Sequence, residues 1–186
     1  MKRLFDVISS SLLLVFFAVP MALIALGVML TSRGSVLHWS DRVGRSNRIF
    51  KMPKFRSMRT DTPQLPTHLL SDPVIYLTPI GSFLRRTSLD ELPQLFSILV
   101  GHLSMVGPRP ALFNQDDLIS SRTERGIHQL VPGLTGWAQV NGRDELPILV
   151  KVQFDDEYLH RRSFIFDLQI IGMTVVRVVR GEGIKH

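Results

Sequence analysis

Between Leu12 and Leu30 the chain runs 19 residues without a charge, and Pro20 stands near the middle of that run. At about 1.5 Å per helical residue such a segment reaches roughly 28 Å, enough to cross the hydrocarbon core of a bilayer. A secretory leader is disfavoured, because the apolar part is too long and no Ala-x-Ala type of cleavage site follows it. Two arrangements stay open: one spanning helix, or a helix that enters, bends and leaves on the same side. Proline removes a backbone hydrogen bond and clashes with the preceding turn, which predicts a sharp bend at Pro20. Lys2 and Arg3 precede the run, and Arg33, Arg42, Arg45, Arg48 and Lys51 follow it. Both ends therefore carry the cationic signature of a cytoplasmic flank, which favours re-entry. The expected division is a membrane-anchoring segment over 1–33 and a cytosol-facing domain over 34–186.

The rest of the composition bears on partners. The chain has 22 Lys and Arg against 16 acidic residues, an excess that suits a phosphate-bearing ligand or an anionic membrane surface. Nucleic acid would satisfy the same charge, and a solvated basic face is the plain alternative. The absence of cysteine excludes disulfides, thiolate metal sites and a catalytic thiol. Six histidines form no HExxH pattern and no close pair, which argues against a zinc centre.

Chemistry concentrates in Thr87 to Pro110, TSLDELPQLFSILVGHLSMVGPRP. Ser88 followed three residues later by Glu91 has capping-box spacing, which predicts a helix start with Asp90 in its first turn. Unpaired N–H groups and the helix dipole would keep Asp90 ionised there, as a nucleophile or metal ligand requires. On the pattern alone, the favoured reading is that these residues merely begin a helix whose apolar face is Leu92, Leu95, Phe96 and Leu99. Gly107-Pro108-Arg109-Pro110 fixes φ at two positions and holds one guanidinium on a stiff loop, suited to a bidentate phosphate contact.

Three separate motifs, SLDELPQLFSILVGHLSMVGPRP, KFRSM at Lys54 to Met58 and PGLTGWAQVNGR at Pro132 to Arg143, resemble the bacterial sugar transferase family, the small monotopic phosphoglycosyl transferases. The resemblance covers nearly the whole chain. It implies an α+β, mainly helical fold, with a re-entrant helix-break-helix, a small catalytic domain containing a β-hairpin, and interfacial amphipathic helices. It implies transfer of a sugar 1-phosphate from a UDP-sugar, expected to carry an N-acetylated hexose, to a membrane polyprenyl phosphate such as undecaprenyl phosphate. UMP would leave, through a covalent aspartyl intermediate, at the cytoplasmic face of a bacterial inner membrane. No nucleic acid partner is expected on this reading. Asp90 would be the nucleophile and Glu91 its partner, with both near Mg²⁺. Lys54, Arg56, Arg85 and Arg109 would clamp phosphate, while Gln139, Asn141 and Arg143 become candidates for the nucleotide. Asp167, alone in an apolar stretch, would support the site through Lys54 or Arg56. Two departures stand out: Val19 precedes the proline where the family often has Ser, and Trp39, Asp41, Arg42 and Gly44 surround Ser40 where an aromatic-x-Gln-x-Arg-x-Gly pattern is common.

The remaining segments read more coarsely. Ser35 to Trp39 and Ile49 to Phe55 predict strands of a hairpin around Gly44-Arg45-Ser46-Asn47. Asp61 to Pro79, with four prolines, predicts a loop. Thr78-Pro79 predicts the start of a short helix bearing Arg85 and Arg86. Leu112 to Leu130 predicts a helix with Asp116, Asp117, Arg122, Glu124 and Arg125 on a solvated side. Pro132 to Gly136 predicts a turn-forming loop, Trp137 to Val140 a short strand and Asn141-Gly142 a turn. Pro147 to Leu159 and Phe164 to Val179 predict amphipathic helices, the second ending in Arg177 and Arg180. Two rival readings remain: a glycosyltransferase that releases UDP, against which the lack of any Asp-x-Asp counts weakly, and a membrane-tethered basic binding protein.

Overall fold

A computed structural model describes residues 1–63, 72–142 and 146–180 of the chain. The fold is α+β and mostly helical. It opens with α1 (Lys2–Phe16) and α2 (Ala18–Thr31), which meet at 62°. The break falls at Phe17, not at Pro20, where the sequence predicts it. Pro20 is nonetheless the physical cause: it has no N–H for the Phe16 carbonyl four residues back, and its ring crowds that same carbonyl. The helical ladder resumes with Met21 N–H donating to Phe17 O at 2.8 Å. Among the described residues no single helix is long and apolar enough to cross a membrane, whereas this bent pair qualifies together by length and composition.

Both ends of the bent pair dock on the same compact unit. At the start of α1, Arg3 donates to the carbonyls of Ile98 and Leu99, and Asp6 accepts the Met105 amide at 2.9 Å. Near the end of α2, Val28 packs with Phe55 and Leu84. Between these anchors the outward faces are apolar and exposed, including Leu12, Val15, Phe16, Val19 and Leu23.

β1 (Leu37–Val43) and β2 (Ile49–Phe55) form an antiparallel hairpin as expected, but the first strand runs on to Val43 and does not stop at Trp39, since its register pairs Leu37 with Phe55 and Val43 with Ile49. Ser46 and Asn47 at the turn take positive φ, a conformation that short polar side chains tolerate. α3 (Gly81–Arg86) begins after Thr78-Pro79, because Thr78 bonds to Ser57 O and its own carbonyl accepts from Gly81 in a turn. α4 (Gln94–Val100) ends at Gly101 in the left-handed region. β3 (Ser104–Val106) follows and pairs in parallel with β4 (Gly133–Thr135).

The crossover between those two strands contains α5 (Asp116–Glu124), shorter than the predicted Leu112 to Leu130 helix and followed by a 3-10 turn at Ile127–Gln129. The expected loop and strand over 132–140 are transposed. The strand is β4, and Trp137–Val140 is a short helix, α6. Gly133 and Gly136 explain it: a Cβ on either would lie 2.1 Å from an atom of Gly107, so only glycine lets β4 and the start of α6 lie against that loop. α7 (Ile148–Arg161) and α8 (Phe164–Arg180) close the described chain.

One apolar core joins the hairpin, α4, β3 and the last helices through Met52, Leu95, Ile98, Val106, Tyr158, Phe166 and Ile170. Fully burying such side chains contributes about 1.5–3 kcal/mol each. A second cluster of Ala111, Leu118, Ile127 and Val152 seats α5 on α7. The outer face of α8 keeps Ile165, Leu168, Val175 and Val176 exposed, and on α4 Phe96 and Val100 are exposed as well.

Candidate active site

The predicted helix start at Ser88 is a different object in the structure. Ser88 adopts φ 56°, ψ 17°, its side chain makes no capping bond, and Leu89–Glu91 is a single 3-10 turn preceding α4. The capping box does not form because the Glu91 carboxylate is engaged elsewhere. Its Oε1 accepts from Lys54 Nζ at 2.8 Å and from Arg109 Nη2 at 3.1 Å. Lys54 comes from β2 and Arg109 from the Gly107–Pro110 loop, so one oxygen joins three distant segments.

Asp90 sits beside this junction and is buried, at 7% exposure. Burial, reinforced by Glu91, raises its carboxyl to about 6 against the opposing fields of Lys54, Arg85 and Arg109. A carboxyl at about 6 still leaves Asp90 mostly ionised at neutral pH, as expected, but the expected cause is corrected: a three-residue turn supplies little dipole, and desolvation works against the charge. Burial acts on Glu91 in the same direction, but Lys54 and Arg109 overcome it and hold that carboxyl well below the usual range. Two adjacent carboxylates thus have separated roles. Glu91 is held toward its anionic form and committed to cations. Asp90 is the more basic of the two, and among the described residues the charges acting on it do so without a hydrogen bond.

The other expected site residues are distributed unevenly. Arg85, from α3, places a charge near Asp90 and also directs Nη1 to Met58 Sδ at 3.0 Å. Arg56 turns to Ser35, with Nε 2.7 Å from its carbonyl oxygen and Nη2 2.9 Å from its hydroxyl. It does not figure among the charges acting on Asp90. Gln139 donates to Leu134 O at 3.0 Å and Asn141 to Trp137 O at 2.8 Å, so both amides spend donors on the backbone around α6. Among the described residues the buried Oε1 of Gln139 has no hydrogen-bond partner. Arg143 lies outside the described residues.

Asp167 meets neither Lys54 nor Arg56. Its Oδ2 accepts from Lys2 Nζ at 2.5 Å and its Oδ1 from the Tyr158 hydroxyl at 2.7 Å, which ties α1 to α7 and α8. The buried Asp167 is closer to the N-terminal helix than to the carboxylate pair because its helix packs on β3 and the core. A buried carboxylate takes the cation that its own face meets.

Sequence reasoning missed Arg122, expected on a solvated face. Its guanidinium donates to Asp155 Oδ2 through Nε at 3.0 Å and Nη2 at 2.5 Å. A signal existed: Val152, Asp155 and Tyr158 follow one another at i, i+3, i+6 on the buried face of α7.

As for a metal, no group of three or more His, Cys, Asp or Glu side chains that could hold one exists among the described residues. Asp90 and the second oxygen of Glu91 nevertheless suit Mg²⁺, which commonly takes one or two carboxylates and completes its shell with water and substrate phosphate.

Comparison with known proteins shows the family. The profile of the bacterial sugar transferase family matches residues 1–181. An undecaprenyl-phosphate glucose phosphotransferase of Komagataeibacter xylinus is 41% identical, covering 96% of this chain and 36% of the relative. A UDP-glucose:undecaprenyl-phosphate glucose-1-phosphate transferase of Escherichia coli (strain K12) is 39% identical, covering 95% of this chain and 40% of the relative. The uncharacterized sugar transferase EpsL of Bacillus subtilis (strain 168) is 39% identical, covering 100% of this chain and 91% of the relative. The chain thus spans about two fifths of the length of the first two relatives and most of the third. With a match over almost its full length, this chain belongs to the bacterial sugar transferase family.

Proposed function

We propose that the chain transfers a sugar 1-phosphate from a UDP-sugar to a polyprenyl phosphate at a membrane surface, the initiating step of a surface glycan. The observation that carries this reading is the pairing of a buried, relatively basic Asp90 with a Glu91 that gathers Lys54 and Arg109. Attack on a diphosphate brings anions together, and convergent cations offset that repulsion. In the first half-reaction an Asp90 oxygen bonds to the β-phosphorus while the bond from that phosphorus to the bridging oxygen breaks and UMP departs. In the second, a phosphate oxygen of the polyprenyl phosphate bonds to the same phosphorus, the acyl-phosphate bond breaks, and the carboxylate returns.

Lys54, Arg85 and Arg109 neutralise the diphosphate in this scheme, with Arg56 at the outer end of the hairpin. Gln139 and Asn141, on and just after α6, whose preceding Gly136 packs against Gly107 of the Arg109 loop, are assigned with Arg143 to the nucleotide. Mg²⁺, held by Asp90 and Glu91, would supply further neutralisation of phosphate charge. The sugar is best sought first as glucose, given the relatives' names, alongside the N-acetylated hexose expected from the family resemblance.

The bent pair supports a re-entrant anchor, which the family resemblance assigns to the cytoplasmic face of a bacterial inner membrane. Arg3 and Asp6 at one end and Val28 at the other dock on one domain, which a straight span would separate by the bilayer thickness. Exposed apolar side chains on α1, α2, α4 and α8 form the surface that lipid would cover. The deciding experiment incubates the protein with UDP-sugars, polyprenyl phosphate and Mg²⁺ and identifies the nucleotide released. UMP supports the proposal, UDP indicates attack at the anomeric carbon, and no nucleotide indicates a binding protein.

A further inference from the structure

Arg109 stands between two prolines, and this creates a mechanical problem. Pro108 and Pro110 stiffen the loop but have no N–H, so the scaffold can hold it only weakly through amides. The structure holds it through carbonyls. Pro108 O accepts from the Gly133 amide at 2.9 Å, Arg109 O from Arg122 Nη1 at 2.8 Å, and Pro110 O from Arg42 Nη1 at 3.1 Å. The middle contact is the one at the functional residue itself. Its donor is locked in turn, because Arg122 gives Nε and Nη2 to Asp155, which is 1% exposed.

We infer that Arg122, fixed by Asp155, is a positioning residue that sets the orientation of Arg109 toward Glu91. One planar guanidinium spans both partners: two of its nitrogens meet the carboxylate and the third meets the backbone carbonyl. A lysine could satisfy the charge of Asp155 but could not bridge both groups in one plane. The geometry thereby links α5 and α7 to the Arg109 side chain that meets Glu91. This inference rests on the proposed function only for the role of Arg109, and its structural content is separately testable.

The alternative role for the pair is to hold α5 on α7 and nothing more. A buried ion pair can often be exchanged for apolar residues of similar volume without loss of stability, which separates the two roles. The test compares wild type, Arg122→Met with Asp155→Leu, and Arg122→Lys, each with and without Arg109→Ala. Thermal midpoint, UMP release from UDP-sugar, and the NMR signal of the Arg109 Nε–H are the readouts.

The expected result for Arg122→Met with Asp155→Leu is a midpoint near wild type, kcat/KM lower by about tenfold or more, and a broadened Arg109 signal. Arg109→Ala should then cost less in that background than in wild type, since a misplaced arginine has less to lose. Arg122→Lys should also lose about tenfold while remaining folded, so the test survives if the apolar exchange does not fold. Wild-type turnover in either folded variant, additive losses with Arg109→Ala, or an unchanged Arg109 signal would overturn the inference. Failure of the proposed function reads differently: wild type itself would release no UMP, while the Arg109 signal would still report whether Arg122 holds the loop.

Discussion

Lys54 Nζ and Arg109 Nη2 meet on the same oxygen of Glu91, 2.8 and 3.1 Å away. Neither cation can be placed by its own segment alone, since one rides on a hairpin strand and the other on a proline-bracketed loop. Glu91 is what makes them a pair, and Asp90 follows it into place as its neighbour in the turn. Glu91→Gln should therefore lower kcat/KM at least tenfold with the fold retained by circular dichroism. The residual activity should carry a further mark. Removing the Glu91 charge takes away one of the effects that raise Asp90 and releases two that lower it, so the acidic limb of the pH–rate profile should move to lower pH.

Asp90 itself sets the wild-type profile. With its carboxyl at about 6 in the metal-free site, kcat/KM should rise with pH along an acidic limb and level off, and that limb should move to lower pH as Mg²⁺ is raised, measured as UMP release.

The same shift has a stability consequence of defined sign. The folded value lies above the unfolded one, so folding favours the protonated acid. That contribution is complete below about pH 4 and is lost as pH rises through about 6. At pH 8 the ionised, buried carboxylate is a liability. Asp90→Asn should recover about 1–3 kcal/mol there, seen as a thermal midpoint several degrees higher, and the gain should shrink toward zero near pH 4.

Asp167 gives the opposite pattern. Its partners are Lys2 and Tyr158 and not the catalytic cations, so Asp167→Asn should lower the midpoint by several degrees while leaving kcat/KM within about threefold.

The anchor can be tested with the chain's lack of cysteine as an advantage. Single cysteines, one placed before Met1 and one as Arg33→Cys, should react with an impermeant reagent from the same side of sealed vesicles. Labelling from opposite sides would exclude re-entry. Pro20→Ala restores the donor for the Phe16 carbonyl and should open the 62° bend, lowering same-side labelling.

What the sequence made legible was whatever rests on local physics. The β2 strand, the turn at Gly44 to Asn47, the α8 helix and a bend in the apolar run all follow from alternation, turn residues, periodicity or one proline. Local reasoning failed where distant groups compete for the same atom. Ser88 and Glu91 have the spacing of a cap, but two cations from elsewhere win the Glu91 carboxylate, and Ser88 takes a left-handed turn instead. Trp137 to Val140 looks like a strand by composition, yet the approach of Gly136 to Gly107 turns the chain into a helix there. Arg122 looks solvated until α7 supplies Asp155. In the candidate site the motif residues Lys54, Asp90, Glu91 and Arg109 were readable as types. Their shared contact at one oxygen was not, because no sequence spacing encodes it.

The central claim is that Asp90 bonds to phosphorus. It is tested most directly by mixing the protein with UDP-sugar and Mg²⁺ without lipid acceptor, then mapping any adduct by mass spectrometry of the peptide containing Asp90. The expected result is one sugar-phosphate on Asp90, one UMP released per chain, and loss of the adduct on adding polyprenyl phosphate. Turnover by Asp90→Asn at the wild-type rate, or UMP released only when acceptor is present and with no adduct, would contradict it.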